Sequence, residues 1–533
     1  MTVLYLLPLL AAGQIHYFDI VVYGGTSAGI TSAVEAARNG KTVALIEPSA
    51  HIGGIAVEGL GGTDIDNHKE FQNSIAVGGL ALEFYRRIAK AYNREEAFEA
   101  ALRKSTKETK LWRFESHVAE QVYNDWVSEY NIKVFLRHRL AENRAVKKTG
   151  TVIEEIVMEN KIRFKGKVFI DATYEGDLLY HAGVSTVIGR EPNSLHNETL
   201  NGIRPETTHA QFEVKVDPYI IPGDSSSGVI HTVQNEGLGI PGSGDHRIQA
   251  YCFRMCLTKE PGNKIHFTRP LDYDRSHYEI YVRYEKAGGK LYTPSPSIPN
   301  GKTDLGAWHD LSHNLYGMNF DYPAGSYATR QKVLAYHRDF TQGLFYFLAN
   351  DTAISERTRN EWSQWGLARD EFTDNEGWPR NFYVRDARRM VSDYIITENH
   401  AKKNNAIPVE DPVALAYWPT DVHSVRRIVK DGFVYNEGFV FGGDYWKPFG
   451  ISYRSLVPKE TECTNILTPT CPSSTHIAYG AIRIEFTFMG LGQAAGLAAN
   501  MAADENKPVQ KIDYSLLRKQ LLSAGQRLAL YDQ

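Results

Sequence analysis

A run of small residues near the N-terminus has the spacing of a phosphate-binding turn. It follows the G-x-G-x-x-G pattern, except that Thr26 stands where the second glycine is usual. The first glycine permits a tight turn, the last lets a helix approach a sheet, and free N–H groups at the helix start bind a pyrophosphate. We expect the Thr26 hydroxyl to donate a hydrogen bond in place of the close backbone approach that glycine allows. The predicted phosphate-binding residues are Gly24, Gly25, Thr26, Ser27, Ala28 and Gly29.

The segments on either side of this run would position it. Residues 18–23 form a β-branched apolar run typical of a buried strand, and the alanine-rich residues 30–39 predict a helix that ends at Gly40. Residues 42–46 predict a second strand, which leads into Glu47. A carboxylate there hydrogen-bonds ribose hydroxyls and disfavours a 2′-phosphate. Strand, turn, helix, strand and acid in register predict an adenine-dinucleotide site; the alternative is a tight turn that binds no ligand.

Two further motifs favour FAD over NAD. Gly53 and Gly54 soon follow the acid, and such a glycine pair is common in flavoproteins, where it packs on the diphosphate. A later segment resembles the Ala-Thr-Gly region of the same flavoproteins. There Ala172 matches, Tyr174 replaces the usual glycine, and an acid near the position of Asp177 lies by the ribityl chain or the diphosphate.

Near the C-terminus, residues 475–483 lead to the sequence Met-Gly-Leu-Gly-Gln-Ala-Ala-Gly at 489–496. With these motifs the chain resembles FAD-dependent oxidoreductases of the glutathione-reductase-like superfamily. It is similar in particular to a microbial group with a Tyr-Gly-Gly-Thr-x-Ala-Gly fingerprint, which spans residues 23–29 here. The resemblance covers most of the chain, and its motifs are specific for FAD rather than for a substrate.

The resemblance implies FAD as the cofactor and a helix start beside the flavin. In such proteins the C-terminal glycine motif opens a helix whose N-terminus faces the flavin pyrimidine and stabilises negative charge there. Here that role would fall to Gly492, Gln493, Ala494 and Ala495. The alternative is a helix of small residues that only packs on the sheet.

The implied fold class is α/β: a three-layer, Rossmann-like FAD-binding domain with an inserted β-rich substrate domain. We place the first part of the FAD-binding domain at residues 14–190, the substrate or cap domain at 191–450, and the C-terminal part at 451–533. From about 190 to 320 the chain becomes richer in Pro, Gly, Ser, His and Tyr, with few helical periods. The other predicted elements are strands at 133–136 and 168–170 and helices at 111–128, 328–348, 381–400 and 490–503, with none placed at 440–482.

Hydride transfer to flavin needs a base near the donor carbon and groups that orient the substrate. His476, just before the C-terminal motif, is the first candidate for a residue near the flavin ring. His423 can pair with Asp421 and act as a base, the usual orienting arrangement. Arg385 and Arg427 are candidates for binding a substrate anion. A structural role is the alternative for each.

Arg385 belongs to a predicted helix at 381–400. Arg388 and Arg389 would share one face with it, because residues three and four apart are neighbours on a helix. That face can bind an anion or bridge two domains through ion pairs. Arg483 can bind the flavin edge or a substrate anion, with a structural salt bridge as the alternative.

A second glycine pattern, at residues 237–242, lacks a clear preceding strand, and Pro241 spoils the helix that should follow. We interpret it as a loop, which leaves one dinucleotide site and no pyridine-nucleotide domain. The chain is therefore expected to oxidise a small organic substrate by hydride transfer to flavin, with O₂ or another electron acceptor. The alternatives are a flavin-dependent reductase of an activated alkene and a non-catalytic FAD-binding protein. The oligomeric state stays open.

The composition of the chain argues against several classes of function. The chain has 533 residues, with 59 Lys and Arg against 63 Asp and Glu, for a net charge of −4. This balance argues against a nucleic-acid partner, and the sequence has no apolar run of membrane-spanning length. No CxxC pair or other metal motif is present, so no metal site is expected. The 30 Tyr and 8 Trp suit an enzyme that stacks flat or carbohydrate-like ligands.

The first residues and the cysteines bear on the compartment. An apolar run at 3–10, followed by small residues, resembles a secretory signal over residues 1–13, with an ordinary hydrophobic tail as the alternative. Glycosylation sequons at Asn197 and Asn350 fit a secreted glycoprotein. Cys463 and Cys471 flank a short loop and can form a disulfide. Secretion is the expected localisation, and the cytoplasm is the alternative.

Overall fold

The computed structural model describes residues 13–207, 209–442 and 446–530. Its α-helices are α1 Ser27–Arg38, α2 Gly79–Ala91, α3 Glu95–Lys104, α4 Ser116–Glu129, α5 Asp177–His181, α6 Asn193–His196, α7 Glu279–Lys286, α8 Tyr327–Asn350, α9 Glu356–Ser363, α10 Glu398–Ala401, α11 His476–Ile482, α12 Glu485–Glu505 and α13 Tyr514–Ser523. Short 3₁₀ helices include Gly54–Val57, Arg275–Tyr278 and Tyr453–Leu456.

The strands are shorter and more numerous. They are β1 Ile15–Tyr23, β2 Val43–Glu47, β3 Lys133–Leu136, β4 Val146–Thr149, β5 Val152–Val157, β6 Arg163–Asp171, β7 Thr186–Val187, β8 Leu257–Thr258, β9 Lys264–Ile265, β10 Gly366–Ala368, β11 Arg389–Met390, β12 Pro412–Ala416, β13 Asp421–Val422, β14 Arg426–Lys430, β15 Phe433–Glu437, β16 Val440–Phe441, β17 Phe449–Ser452 and β18 Ile466–Leu467.

One seven-stranded sheet organises the first hydrophobic core. Its order is β3-β2-β1-β6-β5-β4, with β18 paired to β6. The β1–β2, β1–β6, β2–β3 and β6–β18 pairs are parallel, whereas β4 and β5 add antiparallel strands at one side. The carboxyl ends of β1, β2 and β6 therefore meet at one edge, the position where ligands bind in open α/β sheets. The α/β fold with a Rossmann-like arrangement is thus as expected.

Helices α1 and α12 pack against each other with their backbones in close contact. A Cβ atom added at Gly492 would lie 2.3 Å from the carbonyl oxygen of Ala28, and one at Gly496 would lie 2.4 Å from that of Ser32. The hydroxyls of Thr31 and Ser32 donate hydrogen bonds to carbonyl oxygens of α12. The C-terminal helix is therefore locked onto the first helix of the chain.

A second hydrophobic core is built from the middle of the chain. It gathers buried residues between Val216 and Val434, among them Phe345 of α8 and Trp362 of α9. The longest element of this region is the 24-residue helix α8, whereas its strands have two to five residues. The inserted region is therefore mixed and largely irregular, and the description "β-rich" does not fit it. Residues 412–418, assigned to the cap by the predicted boundary, pack into the first core.

Several predicted elements coincide with observed ones. The strands β1, β2 and β3 and the helices α1 and α4 lie where the sequence indicated them, as does α8. Residues 237–242 form no helix or strand, in agreement with a loop. These elements share strong local signals: continuous β-branched runs for the strands and alanine-rich or periodic segments for the helices.

Two element predictions are wrong. Residues 381–388 are not helical: the Tyr383 N–H donates to the Cys252 carbonyl, and Arg389–Met390 pairs with β7. These hydrogen bonds to distant segments of the same chain occupy the backbone groups that a helix would use. The stretch at 440–482 is not free of elements either, since it holds β17, β18 and α11.

The disulfide that the sequence allowed is not formed. Cys463 and Cys471 are free and fully buried, in the small core beside β6. Each thiol lies next to a different acceptor: Asn465 for Cys463 and the Thr173 carbonyl for Cys471. The secretory leader falls almost entirely on residues 1–12, which lie outside the described residues, so secretion stays a prediction. No helix in the described part of the chain combines the length and apolar character that a membrane span requires.

The close contact of α1 and α12 predicts the effect of adding one methyl group. Gly492→Ala should destabilise the protein by about 1–3 kcal/mol, because the new Cβ must displace a backbone carbonyl. Urea or thermal unfolding measures the shift in midpoint. Gly237→Ala is the matched control, since nothing lies within 4 Å of its added Cβ. Equal midpoints for the two variants would show that the helices are not tightly packed.

Candidate functional site

A cavity of about 290 Å³ opens at the carboxyl ends of β1, β2 and β6. The chain reverses direction here between strand and helix, so backbone N–H groups face the opening. Residues predicted for cofactor binding line it on all sides. They are Gly24, Thr26, Glu47, Gly54 and Asp177.

The glycine-rich turn has the predicted conformation, but the Thr26 hydroxyl has another role. Gly24 has φ +103°, and a Cβ there would lie 2.6 Å from the backbone of Ala172. The Thr26 oxygen accepts from Gly29 N at 3.2 Å, and its proton goes to the Ala172 carbonyl at 2.7 Å. Thr26 therefore caps α1 and ties it to the end of β6. The N–H groups of the first helical turn remain the donors for a phosphate.

Glu47 is fixed at the end of β2. One carboxylate oxygen accepts from Gly25 N at 2.7 Å and the other from Ser49 N at 2.7 Å. Burial raises the pKa of the carboxyl group above its ordinary value. The residue thus lies beside the glycine-rich turn, where a ribose would follow a pyrophosphate.

The glycine pair continues the same wall. Gly53 has φ +126° and donates its N–H to the Gly25 carbonyl at 2.6 Å. A Cβ added at Gly54 would lie 2.4 Å from the Tyr174 hydroxyl. A side chain at either position would be strained or would clash, so the close approach of these segments depends on glycine.

Asp177 is held by two arginines. Arg330 of α8 donates to both carboxylate oxygens at 2.7 Å, and Arg388 donates at 2.9 Å. Burial alone would raise the pKa of Asp177, but these guanidinium charges lower it below its ordinary value. Arg330 thereby brings α8, an element of the inserted region, to the rim of the cavity.

The C-terminal motif lies elsewhere than predicted. Helix α12 begins at Glu485, so Gly492, Gln493, Ala494 and Ala495 are in its interior, where the N–H groups bond within the helix. The Gln493 side chain accepts from Leu80 N at 2.9 Å and donates to Glu35 at 3.0 Å. The prediction that these four residues present the helix N-terminus is therefore wrong. Only the turn that starts at Glu485 has free N–H groups.

Glu485 connects the starts of the two locked helices. It accepts hydrogen bonds from the Ser27 hydroxyl and, at 2.9 Å, from the Tyr174 hydroxyl. Burial raises the pKa of Glu485 to about 7. Its side chain also lines a narrow inner cavity, together with Leu60, Asp64 and Tyr383.

Polar and charged side chains gather beside this inner cavity, and two of them, Asp64 and Tyr383, line it. Arg483 donates to the Tyr383 hydroxyl at 2.8 Å and to the Asp421 carbonyl at 2.7 Å. The Asp421 carboxylate lies 3.7 Å from His423 Nε2. We call Asp64, Tyr383, Asp421, His423 and Arg483 the inner polar cluster.

The pKa values in this cluster are strongly shifted. Burial, helped by the nearby Asp421 carboxylate, raises the pKa of Asp64 to about 6. Burial and the charges of Arg385 and Arg483 lower the pKa of His423 well below its ordinary value. Near neutral pH the cluster therefore offers a carboxylate close to its pKa and a neutral imidazole.

Comparison with known proteins agrees with this geometry. A model of the FAD-dependent oxidoreductase family matches residues 19–521. The chain belongs to that family. No curated protein matches the sequence.

Solved structures give only distant similarities. L-amino acid deaminase from Proteus vulgaris is 15% identical, with a TM-score of 0.24, over 34% of this chain and 54% of that one. L-proline dehydrogenase from P. horikoshii is 15% identical, with a TM-score of 0.25, over 34% of this chain and 59% of that one. T. acidophilum thioredoxin reductase is 19% identical, with a TM-score of 0.18, over 30% and 35%. The matched parts span about half of the first two structures.

As a member of the FAD-dependent oxidoreductases, the chain is an enzyme with FAD as its cofactor. The donor set of the outer cavity fits the group. The first turn of α1 offers N–H groups for the pyrophosphate, and Glu47 offers a carboxylate for ribose hydroxyls. A Cβ at Gly54 would fill the space between Tyr174 and Thr26.

The predicted catalytic residues are not all brought together. His423 joins the inner polar cluster, and Arg385 lies close enough to lower its pKa. His476 lines neither the outer nor the inner cavity: it is buried, with Nδ1 3.0 Å from Asp386 Oδ2. Arg427 lies in the second core, where it donates to side chains of β15 and residue 232. Its role there is structural, since its guanidinium is taken up by packing and hydrogen bonds.

The arginine face predicted at 381–400 does not exist. Arg385 donates to the Ala250 carbonyl and Asn314, Arg388 to Asp177, and Arg389 to Glu191. The three side chains leave an extended segment in different directions, because each is drawn to a separate buried partner.

Several site residues were missed by the sequence analysis. Asp64 lies two residues after Gly62 of a Gly-Gly pair, a signal that could have marked it, and Glu485 is an acid at a helix start. Tyr383 and Arg330 carry no local signal, since their roles depend on contacts with distant segments.

A group of possible metal ligands lies away from both cavities. Glu115, His117 and Glu371 place their ligand atoms within 4.8 Å of one another. The Lys302 ammonium sits among them, 2.7 Å from Glu115 and 2.9 Å from Glu371. Lys302 already supplies the positive charge that these carboxylates need.

Glu47 predicts a measurable effect on cofactor retention. Glu47→Gln should weaken FAD binding roughly 10- to 100-fold, because a charged hydrogen-bond acceptor contributes about 1.5–3 kcal/mol. Equilibrium dialysis with FAD at fixed pH measures the change. Glu260→Gln, at an exposed position, is the control. Unchanged FAD retention in Glu47→Gln would show that Glu47 does not belong to the cofactor site.

Proposed function

We propose that this enzyme oxidises a small organic substrate by hydride transfer to flavin, with O₂ or another acceptor taking the electrons onward. The observation that carries the proposal is the inner polar cluster at the inner cavity. Oxidation of a C–H bond next to a hydroxyl or amine requires a base for the departing proton and groups that orient the donor carbon. FAD, when bound, supplies the hydride acceptor.

Asp64 is the best-placed base. Its carboxyl group lines the inner cavity, and its pKa of about 6 lets it be ionised at neutral pH while remaining able to take a proton. Arg483 lies close enough for its charge to act on the pKa of Asp64, and His423 lies 3.7 Å from the neighbouring Asp421 carboxylate. These two groups would orient the substrate oxygen or nitrogen.

The number of dinucleotide sites supports oxidation over reduction by a nicotinamide cofactor. In the described part of the chain, one glycine-rich turn joins a strand to a helix with an acid in register. Residues 237–242 form a loop without either element. An NAD(P)H-driven reductase usually needs a docking site for its donor, which this arrangement does not offer.

The function is tested by anaerobic flavin reduction. The purified holoenzyme is mixed with alcohols, sugars, amines and amino acids, and bleaching of the oxidised flavin band is followed. We expect one class to bleach the band; recovery in air then identifies an oxidase, and lack of recovery identifies a dehydrogenase with another acceptor. If none bleaches it, while the dithionite-reduced enzyme is reoxidised by an enone, the enzyme is an alkene reductase and the proposal fails.

Asp64 gives the prediction for pH. In the free enzyme, the base works only when ionised, so kcat/KM should rise with pH through about 6. Asp64→Asn should lower the rate of flavin reduction by about 10²–10⁴-fold and abolish that limb. Stopped-flow reduction between pH 5 and 8 measures both. Asp504→Asn, on the surface of α12, is the control. A wild-type rate in Asp64→Asn would assign the base elsewhere.

A further inference from the structure

Aromatic side chains border the inner polar cluster on its solvent side. The Trp308 ring packs nearly at right angles to His423 at 6.0 Å, to Phe439 at 5.2 Å and to Phe441 at 5.4 Å. Trp308 is nevertheless 41% exposed. A large apolar surface therefore faces solvent within one ring contact of a residue of the cluster.

The aromatic surface continues away from His423. Phe441 contacts His68 at 6.1 Å, His68 stacks on Phe71 at 4.5 Å, and Phe71 contacts Trp446 at 5.7 Å. We call Trp308, Phe441, His68, Phe71 and Trp446 the aromatic rim; apart from the more exposed Trp308, its members are partly buried.

The rim ends at a second cavity. This cavity has about 540 Å³ and is lined by Trp446, Thr420, Glu398 and Lys402 among others. Thr420 directly precedes Asp421 of the inner polar cluster. A volume of this order accommodates a small organic ligand of several rings. Neighbouring residues in the sequence therefore border the second cavity and belong to the inner polar cluster.

Two buried polar atoms in this region lack a partner. Asp421 Oδ1 and Arg385 Nε make no hydrogen bond with the described residues, and both side chains are at least nine-tenths buried. Unsatisfied buried groups are costly and call for a bound water or ligand. A water, or a ligand that brings hydroxyls or other polar groups, would pair with them, whereas an entirely apolar substrate would not.

We propose that the substrate is a carbohydrate whose pyranose ring stacks on Trp308; this assignment rests on the function proposed above. A pyranose has a C–H face that packs on an aromatic ring and a periphery of hydroxyls that pair with carboxylates and guanidiniums. The rim and the inner polar cluster present these two kinds of surface side by side. The extension of the rim to Trp446 suits a second sugar unit.

The reaction balances for one hydroxyl-bearing ring carbon. Its O–H and C–H bonds break and a C=O bond forms. The proton passes to the Asp64 carboxylate, and the hydride, with its electron pair, passes to the enzyme's flavin. The external acceptor then takes the two electrons.

The test uses the holoenzyme and three variants. Trp308→Ala removes the stacking surface, Trp308→Phe keeps an aromatic ring, and Tyr17→Ala removes an exposed ring at the amino end of β1, away from the cavity. The probes are glucose, galactose, xylose, glucuronate, cellobiose and lactose, against ethanol, benzyl alcohol, lactate, L-proline and L-alanine. Anaerobic flavin bleaching identifies the substrate, steady-state turnover of that substrate with O₂ or a dye as acceptor gives KM and kcat, and isothermal titration gives sugar binding.

We expect at least one sugar to bleach the flavin, with KM raised tenfold or more in Trp308→Ala, largely restored in Trp308→Phe and unchanged in Tyr17→Ala. Bleaching by a non-sugar alone overturns the carbohydrate assignment while leaving the proposed oxidation intact. Trp308-dependent sugar binding without bleaching supports the carbohydrate site and contradicts the oxidation. If no sugar bleaches the flavin and no sugar binds, the inference is overturned.

Discussion

The contact between α1 and α12 determines the geometry of the whole site. Glycines in α12 lie against backbone carbonyls of α1, and two α1 hydroxyls bond to α12. This packing sets Glu485, the first residue of α12, beside Ser27, the first residue of α1. Because a helix start is where unpaired N–H groups gather, two such starts converge between the outer and inner cavities. One belongs to the glycine-rich turn and the other closes the inner end.

The charged side chains of the interior are largely paired. The arginines that line the outer cavity, Arg139, Arg330 and Arg380, each form an ion pair with a carboxylate. Burial shifts the pKa values of Asp64 and His423 in opposite directions: the carboxyl group is harder to ionise and the imidazole is harder to protonate. Perturbed groups of this kind, gathered in a cleft, are typical of catalytic sites.

The part of the site that the sequence predicts consists of residues that are close together in the chain. Gly24, Glu47 and Gly54 lie within about thirty residues and are needed for backbone reasons, so their spacing alone located the cofactor turn. Ser27 and Glu485 are 458 residues apart, and no local pattern indicates that they touch. The arginines at 385–389 show the opposite error: a helical spacing was present, but buried partners drew the segment into an extended form. The predicted start of α12 was wrong because Gly492 and Gly496 serve the packing of α12 on α1 rather than the start of the helix.

The packing of α12 on α1 has a consequence for biosynthesis. Glu485, the first residue of α12, lies 458 residues after Ser27, the first residue of α1. During translation, α1 is therefore made long before the helix that packs against it. Until α12 is made, α1 lacks its packing partner, and the part of the site that lies between the two helix starts cannot form.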